Sequence, residues 1–266
     1  MKMQDKVALI TGAALGFKAG GPSIGSAIAF RLAEEGAQVV VVDIQAEMGE
    51  RTARQIRESG GEARFVQTDV SKTAEVERAM ERTRQTFGAL HCLVNCAASY
   101  ERDIARNVVE IAEDDWQHTL DVNLNGYFRF AKYGIPLMLE SGGGTIVNIS
   151  SGAAFRARKN FCVYSVTKAA INALTRTLAV DFAPQIRANA ICPGFVRIAN
   201  SENDRDAEEL EAWLGQVAST YPLKRVCTVE EIADVALFLA SDDSTYVNGQ
   251  CLVVDGGRSV ADSHES

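Results

Sequence analysis

The segment Lys6-Val-Ala-Leu-Ile-Thr-Gly-Ala-Ala-Leu-Gly16, followed by Ile24-Gly25 and by Val39-Val-Val-Val-Asp43, decides the fold. Lys6 to Ile10 is an apolar run of strand length. The glycines after it, Gly12 and Gly16, allow a tight turn and let the backbone approach a pyrophosphate seated on a helix N-terminus. Ile24-Gly25 opens an amphipathic stretch that reads as a helix to about Glu35. Val39 to Val42 is β-branched throughout and closes on Asp43, with no Arg or Lys directly after it. Strand, glycine turn, helix, strand and acid in this register predict a βαβ nucleotide-binding unit. A carboxylate at the end of the second strand suits the two hydroxyls of an adenosine ribose and repels a 2′-phosphate, so NAD is expected over NADP.

Outward from this unit, strand and helix alternate to the end of the chain. Further strands are expected at Ala63–Gln67, Cys92–Val94, Thr145–Ile149, Arg187–Ile191 and Cys251–Val254. Helices are expected near Gln45–Ser59, Thr73–Phe87, Asp114–Glu140, Val163–Phe182 and Thr228–Ala240. The pattern predicts an α/β fold of the doubly wound Rossmann type, with a single parallel sheet of about seven strands and helices on both faces. No linker or repeat interrupts it, so residues 1–266 read as one domain. The stretch Pro193 to Pro222 differs: it is polar, begins irregularly and holds an acidic helix candidate, Asp206 to Thr220. Long connections of this kind are often functional.

Chemistry is suggested by Tyr164 and Lys168, with Ser151 thirteen residues before the tyrosine. Residues four apart on a helix share a face, so the phenol and the ammonium point into the same space. A cation beside a phenol stabilises its anion, which equips a tyrosine to exchange a proton with an alcohol or carbonyl. Ser151 follows an apolar run and would emerge at a strand's carboxyl end, where open α/β sheets build their sites. An isolated Tyr-xxx-Lys pair is ordinarily a solvated helix face; here the nucleotide unit supplies the context.

In order along the chain, Thr11-Gly12-xxx-Gly16, Ile24-Gly25, Asp69-Val70, Asn95-Cys-Ala97-Ala98, Asn123, Ser151, Tyr164-xxx-Lys168 and Pro193-Gly194 resemble the motifs of the short-chain dehydrogenase/reductase family, from about Lys6 to Gly257. The resemblance implies a nicotinamide-dependent oxidoreductase interconverting a secondary alcohol and a ketone. Asn123, Ser151, Tyr164 and Lys168 would form a proton relay. Asp69 and Val70 would flank the adenine, and Asn95 with Ala97 would line the ribose. Pro193, Gly194 and Val196 would border the nicotinamide, with residues 193–222 as a lid. It also implies a homotetramer. Three departures stand out. Seven residues, Phe17 to Ser23, separate Gly16 from Ile24; they are turn-like, and Lys18 among them would reach a phosphate or simply be solvated. Ile198 stands where the family places a threonine, and Ala98 replaces a glycine. Other activities consistent with the resemblance are reduction of a 3-oxoacyl or an alicyclic or steroid ketone, or NAD binding by a non-catalytic regulator.

Composition bounds the partners. A formal charge of −8 speaks against nucleic acid and offers no basic stripe for a membrane. Hydrophobic content of 47% is ordinary for a globular chain. The N-terminus enters the first strand at once, without the pattern of a signal peptide, so a cytoplasmic protein is expected. The six cysteines form no Cys-x-x-Cys pair and there are only three histidines, so no metal site is expected and reduced thiols are. Cys162 stands two residues before Tyr164. Between Ser151 and Tyr164 lie Arg156, Arg158 and Lys159, and Arg197 follows the Pro-Gly motif. These arginines are either surface charges or a fork for an anionic hydroxy compound, such as a hydroxy acid or acidic sugar derivative.

Overall fold

Val39 to Val42 alternate between two apolar cores, which is why they read as an unbroken β-branched run. Val39 and Val41 enter one cluster, Val40 and Val42 the other; Ala8 and Ile10 part from Val7 and Leu9 in the same way. A strand covered on both faces belongs to a parallel sheet between helical layers. The computed structural model describes residues 1–16, 21–99, 105–198 and 207–261 and has that architecture.

Seven strands form the sheet: β1 (Val7–Thr11), β2 (Gln38–Asp43), β3 (Glu62–Gln67), β4 (Cys92–Asn95), β5 (Gly144–Ile149), β6 (Ile186–Pro193) and β7 (Cys251–Val254). Their order is β3-β2-β1-β4-β5-β6-β7, and every pairing is parallel. The helices are α1 (Ile24–Glu34), α2 (Ala46–Glu58), α3 (Thr73–Phe87), α4 (Glu113–Leu120), α5 (Gly126–Glu140), α6 (Cys162–Asp181), α7 (Ala207–Ser219) and α8 (Val229–Ala240). Helices α1, α2 and α8 bury their apolar stripes in the first cluster; α3, α5 and α6 bury theirs in the second. The strand order reverses between β1 and β4, and such a reversal opens a crevice at the carboxyl ends of the strands.

The expected elements form with shifts of a residue or two at their ends. The one substantive difference is the long helix expected over Asp114–Glu140. It runs as α4, then a π-helical turn at Asp121–Asn125, then α5. The amide of Gly126 donates to the Asp121 carbonyl, an i to i−5 bond, and Arg129 also donates to that carbonyl at 3.1 Å. Lys18 and Asp206 lie outside the described residues. Among the described residues no helix is long and apolar enough to cross a membrane.

Helix α8 shows how local chemistry secures the layer behind the sheet. Thr228 caps it, and Glu231 completes a capping box by accepting from the Thr228 amide at 3.0 Å. The same carboxylate takes both terminal nitrogens of Arg225, at 2.8 and 2.6 Å. The guanidinium first, and then the Thr228 amide, hold the Glu231 carboxyl down at about 2. A folded value below the ordinary 4.5 means the stabilisation is fully present above about 4.5 and is lost as pH falls toward 2. With the side chain 39% exposed, solvent screening limits its size. Glu231→Gln is expected to cost about 1 kcal/mol in urea unfolding at neutral pH. The difference from wild type should shrink as pH falls from about 5 toward 3; a constant difference would show that the charge contributes nothing.

Candidate functional site

The turn after β1 is built by backbones in close contact. Gly12 adopts φ +66°, and a Cβ there would stand 2.6 Å from the Ala97 Cα. A Cβ on Gly25, in the first turn of α1, would stand 2.2 Å from the Gly12 carbonyl oxygen. Thr11 Oγ1 accepts from the amides of Cys96 and Ala97 at 3.0 and 3.1 Å, tying β1 to the end of β4. Ser23 caps α1 in a reciprocal capping box with Ser26. The Gly16 amide donates to the Gly21 carbonyl at 2.8 Å.

Asp43 stands beside this turn. Its two carboxylate oxygens accept from the amides of Ala14 at 2.9 Å and Gln45 at 3.0 Å. Burial pushes its carboxyl up, against the lowering effect of these donors. Each oxygen accepts one of these bonds, so lone-pair capacity remains on both. Gln45 Oε1 is also buried nearby, with no partner among the described residues.

A cleft of about 1030 Å³ runs along the carboxyl ends of the strands. Gly12, Gly16, Ile24, Gly25, Asp43, Asp69 and Val70 line one end. Ala97, Ala98, Pro193, Gly194, Val196 and Ile198 line its middle, and Ser151, Tyr164 and Lys168 face the same space. Asp69 accepts from the Ser71 amide and hydroxyl at 2.9 and 2.7 Å, which shapes the turn after β3.

Lys168 is 2% exposed, and its Nζ donates to the Ile149 carbonyl at 2.8 Å. Nζ lies 5.5 Å from the Tyr164 ring centroid and 5.6 Å from that of Tyr127. The Tyr127 hydroxyl donates to the same Ile149 carbonyl at 3.0 Å, and burial pushes this phenol well above its ordinary range, so it stays a donor. Ser151 follows β5 in extended conformation, and its Oγ accepts from the Ala153 amide at 3.1 Å, capping the short helical turn Gly152–Ala154.

Two expected residues sit behind the lining rather than in it. Asn123, fully buried in the π-helical turn, accepts from the Ser99 amide at 2.7 Å; Ser99 itself lines the cleft and its Oγ lies 3.3 Å from His118 Nε2. Asn95 donates to Asn148 Oδ1 at 2.9 Å inside the sheet. Arg156 and Arg158 line the outer end of the cleft. Arg197 does not, and its guanidinium lies 3.7 Å from Glu211. Cys162 is not in the lining either, its Sγ standing 3.5 Å from the Arg106 carbonyl. Burial pushes the Cys96 thiol up to about 12, so it stays protonated in the cleft wall. Among the described residues no group of His, Cys, Asp and Glu could hold a metal ion. Sequence reasoning missed Gln45, Tyr127, His118 and Arg258, none of which carries a local motif.

Residues 19–259 match the family model described as enoyl-(acyl carrier protein) reductase. An uncharacterized oxidoreductase of Thermotoga maritima is 41% identical over 98% of this chain and 100% of its own length. The chain belongs to the short-chain dehydrogenase/reductase family and is an oxidoreductase. Cyclohexanol dehydrogenase of an Acinetobacter strain is 34% identical over 96% of this chain and 95% of its own length. The ligand-free aldohexose dehydrogenase of Thermoplasma acidophilum superposes with a TM-score of 0.84 at 30% identity, covering 98% of this chain and 96% of its own. Short-chain dehydrogenases/reductases bind a nicotinamide dinucleotide, and the residues here fit one: the first turn of α1 at Ile24 and Gly25, the side-chain-free approach at Gly12, and the acceptors of Asp43 and Gln45 lie along one cleft.

The two glycine environments of this short-chain dehydrogenase/reductase give opposite expectations. Gly25→Ala forces α1 away from the Gly12 carbonyl and is expected to cost about 1–3 kcal/mol and to weaken dinucleotide binding. Gly215→Ala, on α7 with nothing near its Cβ position, is expected to gain up to about 1 kcal/mol. Thermal melts of both variants check this, and equal melting temperatures would refute the close-packing argument.

Proposed function

We propose that this chain is an NAD(H)-dependent enzyme that interconverts a secondary alcohol and a ketone by hydride transfer, with Tyr164 as the acid/base group. The observation that carries the reading is the placement of Tyr164 and Lys168 one helical turn apart in a cleft whose other end closes on Asp43. Asp43 and Gln45 would hold the adenosine ribose, Asp69 and Val70 the adenine, and the α1 N-terminus with Gly12, Gly16, Ile24 and Gly25 the pyrophosphate. Pro193, Gly194 and Val196 would border the nicotinamide and Ala97 the ribose, with Asn95 bracing the strand end behind it. Bound there, the cofactor supplies the hydride acceptor or donor.

The chain's own groups handle the proton. In the oxidative direction the Tyr164 phenolate takes the hydroxyl proton while Ser151 Oγ holds the reacting oxygen. The Lys168 ammonium stabilises the phenolate charge across the gap, and its anchor on the Ile149 carbonyl keeps it in place. Asn123, whose Oδ1 accepts from the Ser99 amide, would anchor a water that passes the proton onward. Reduction reverses these steps.

Residues 193–222 would serve as the lid of one domain spanning 1–266. Trp213, Gln216, Val217 and Thr220, from α7 and the turn after it, line the cleft and support that role of excluding water. The insertion Phe17–Ser23 would enlarge the phosphate end, with its base pinched by the Gly16–Gly21 bond. A homotetramer in the cytoplasm completes the reading. Phe128, Leu139, Val166 and Val180 stand exposed on α5 and α6, and all six cysteines are free. An alicyclic alcohol is a second substrate reading, favoured by the apolar Phe195, Trp213 and Val217 in the cleft wall and by the likeness to cyclohexanol dehydrogenase.

Absorbance of reduced nicotinamide, followed with a panel of secondary alcohols, is expected to rise with NAD and far less with NADP. Tyr164→Phe should lower turnover by roughly 10²–10⁴-fold while NAD still binds in a titration. Undiminished turnover in that variant would remove Tyr164 from the reaction, and equal use of NADP would remove the ribose role of Asp43.

A further inference from the structure

In a chain that is acidic overall, the outer end of the cleft carries three arginines alongside Asp255. Arg156, Arg158 and Arg258 all line it, drawn from segments about a hundred residues apart. Arg156 Nη1 donates to the Arg258 carbonyl at 2.8 Å, fastening the loop after β5 to the segment after β7. The Arg258 guanidinium stacks over the Tyr221 ring at 4.9 Å, and the Tyr221 hydroxyl is itself held by the Phe195 amide at 2.8 Å. Arg158 stacks over the Phe161 ring at 4.5 Å, and that ring stands edge-on to Tyr164 at 6.2 Å.

Stacking engages the face of a guanidinium and leaves its edge donors open. Elsewhere on this surface Arg31, Arg57, Arg84, Arg129, Arg197 and Arg225 each hold a carboxylate. Arg156, Arg158 and Arg258 hold none among the described residues. The acid nearest them in sequence, Asp255, already accepts from the amides of Gly257 and Ser259 at 3.1 and 2.7 Å.

We infer that these three arginines receive the carboxylate of the substrate, which is a secondary alcohol or ketone bearing that carboxylate several bonds from the reacting carbon. The contacts link Arg158 to Tyr164 through the Phe161 ring, 4.5 Å from the guanidinium and 6.2 Å from the Tyr164 ring, a path that favours a carboxylate several bonds from the reacting carbon over an α-hydroxy acid. The wall between them is apolar, with Phe161, Phe195 and Trp213, and suits a ring or chain joining the two ends of the substrate. This inference rests on the reading of Tyr164 as the group at the reacting carbon, and Arg258 is its new member.

The test separates the two claims. Cyclohexanecarboxylate and its neutral isostere cyclohexanecarboxamide are titrated calorimetrically into the protein with and without NAD. The carboxylate is expected to bind roughly 10–100-fold more tightly, and the advantage to vanish in Arg158→Gln and in Arg258→Gln but persist in Lys159→Gln. In parallel, kcat/KM for 4-hydroxycyclohexanecarboxylate should exceed that for cyclohexanol, with the ratio falling toward one in the arginine variants. Equal binding of the two isosteres, or an advantage that survives both arginine substitutions, overturns the inference. Tighter binding of cyclohexyl phosphate than of the carboxylate overturns the carboxylate assignment. Arginine-dependent binding of the carboxylate without NAD reduction by either alcohol sinks the dehydrogenase reading alone.

Discussion

A buried ammonium at the end of the central sheet constrains everything around it. Removing a cation from water is costly unless protein dipoles replace the lost hydration. For Lys168 the replacement is one carbonyl, that of Ile149, together with the faces of two tyrosine rings. Ile149 is the last residue of β5, and its position is set by a six-residue parallel register with β6 from Gly144 to Ile149. The carbonyl also takes the hydroxyl of Tyr127 from α5. Sheet, α5 and α6 therefore meet at one oxygen atom. Tyr164 has no freedom of its own in this arrangement, because it sits one turn before Lys168 on the same helix.

The same economy links the Gly12 turn to the Tyr164 end of the cleft. Asn95 on β4 donates to Asn148 on β5, Asn148 donates to Thr175 on α6, and Thr175 donates to the Ile171 carbonyl. A buried polar chain of this kind holds its members in register because each loses a partner if one moves. Just past Asn95, at the same end of β4, Thr11 holds the amides of Cys96 and Ala97. The switch point between β1 and β4 is thereby coupled to the helix that carries Tyr164, through side chains that never enter the cleft.

The sequence was legible where the physics is local. The unbroken β-branched run Val39 to Val42 and the glycine turn that leads into α1 are read within a few residues. It was illegible where a distant partner decides. Arg197 adjoins the Pro-Gly turn and invites a place in the cleft, yet Glu211 from α7 lies against it. Asn95 sits among cleft residues in sequence but spends its amide on a neighbouring strand. The π-helical turn around Asn123 has no propensity signature, since helical residues surround it and only the hydrogen-bond step changes. Arg258 lies beyond the last strand and is held at the cleft by the stack on Tyr221 and by Arg156 on its carbonyl.

These cases divide the cleft by the kind of atom that lines it. The inner end includes backbone at Gly12 and Gly25, where a side chain would collide with the neighbouring backbone, so these positions are narrowly determined. The outer end is made of side chains from the loop after β5, from α7 and from the segment after β7. None of these side chains sets the register of a strand, so the outer end can change its chemistry without disturbing the Ile149 carbonyl or the packing beneath it. In the proposed reading the reaction type belongs to the geometry of β5 and α6, and substrate choice to the loop after β5, α7 and the segment after β7. Their convergence becomes visible only when the distances between Arg156, Arg158 and Arg258 and their ring and carbonyl partners are known.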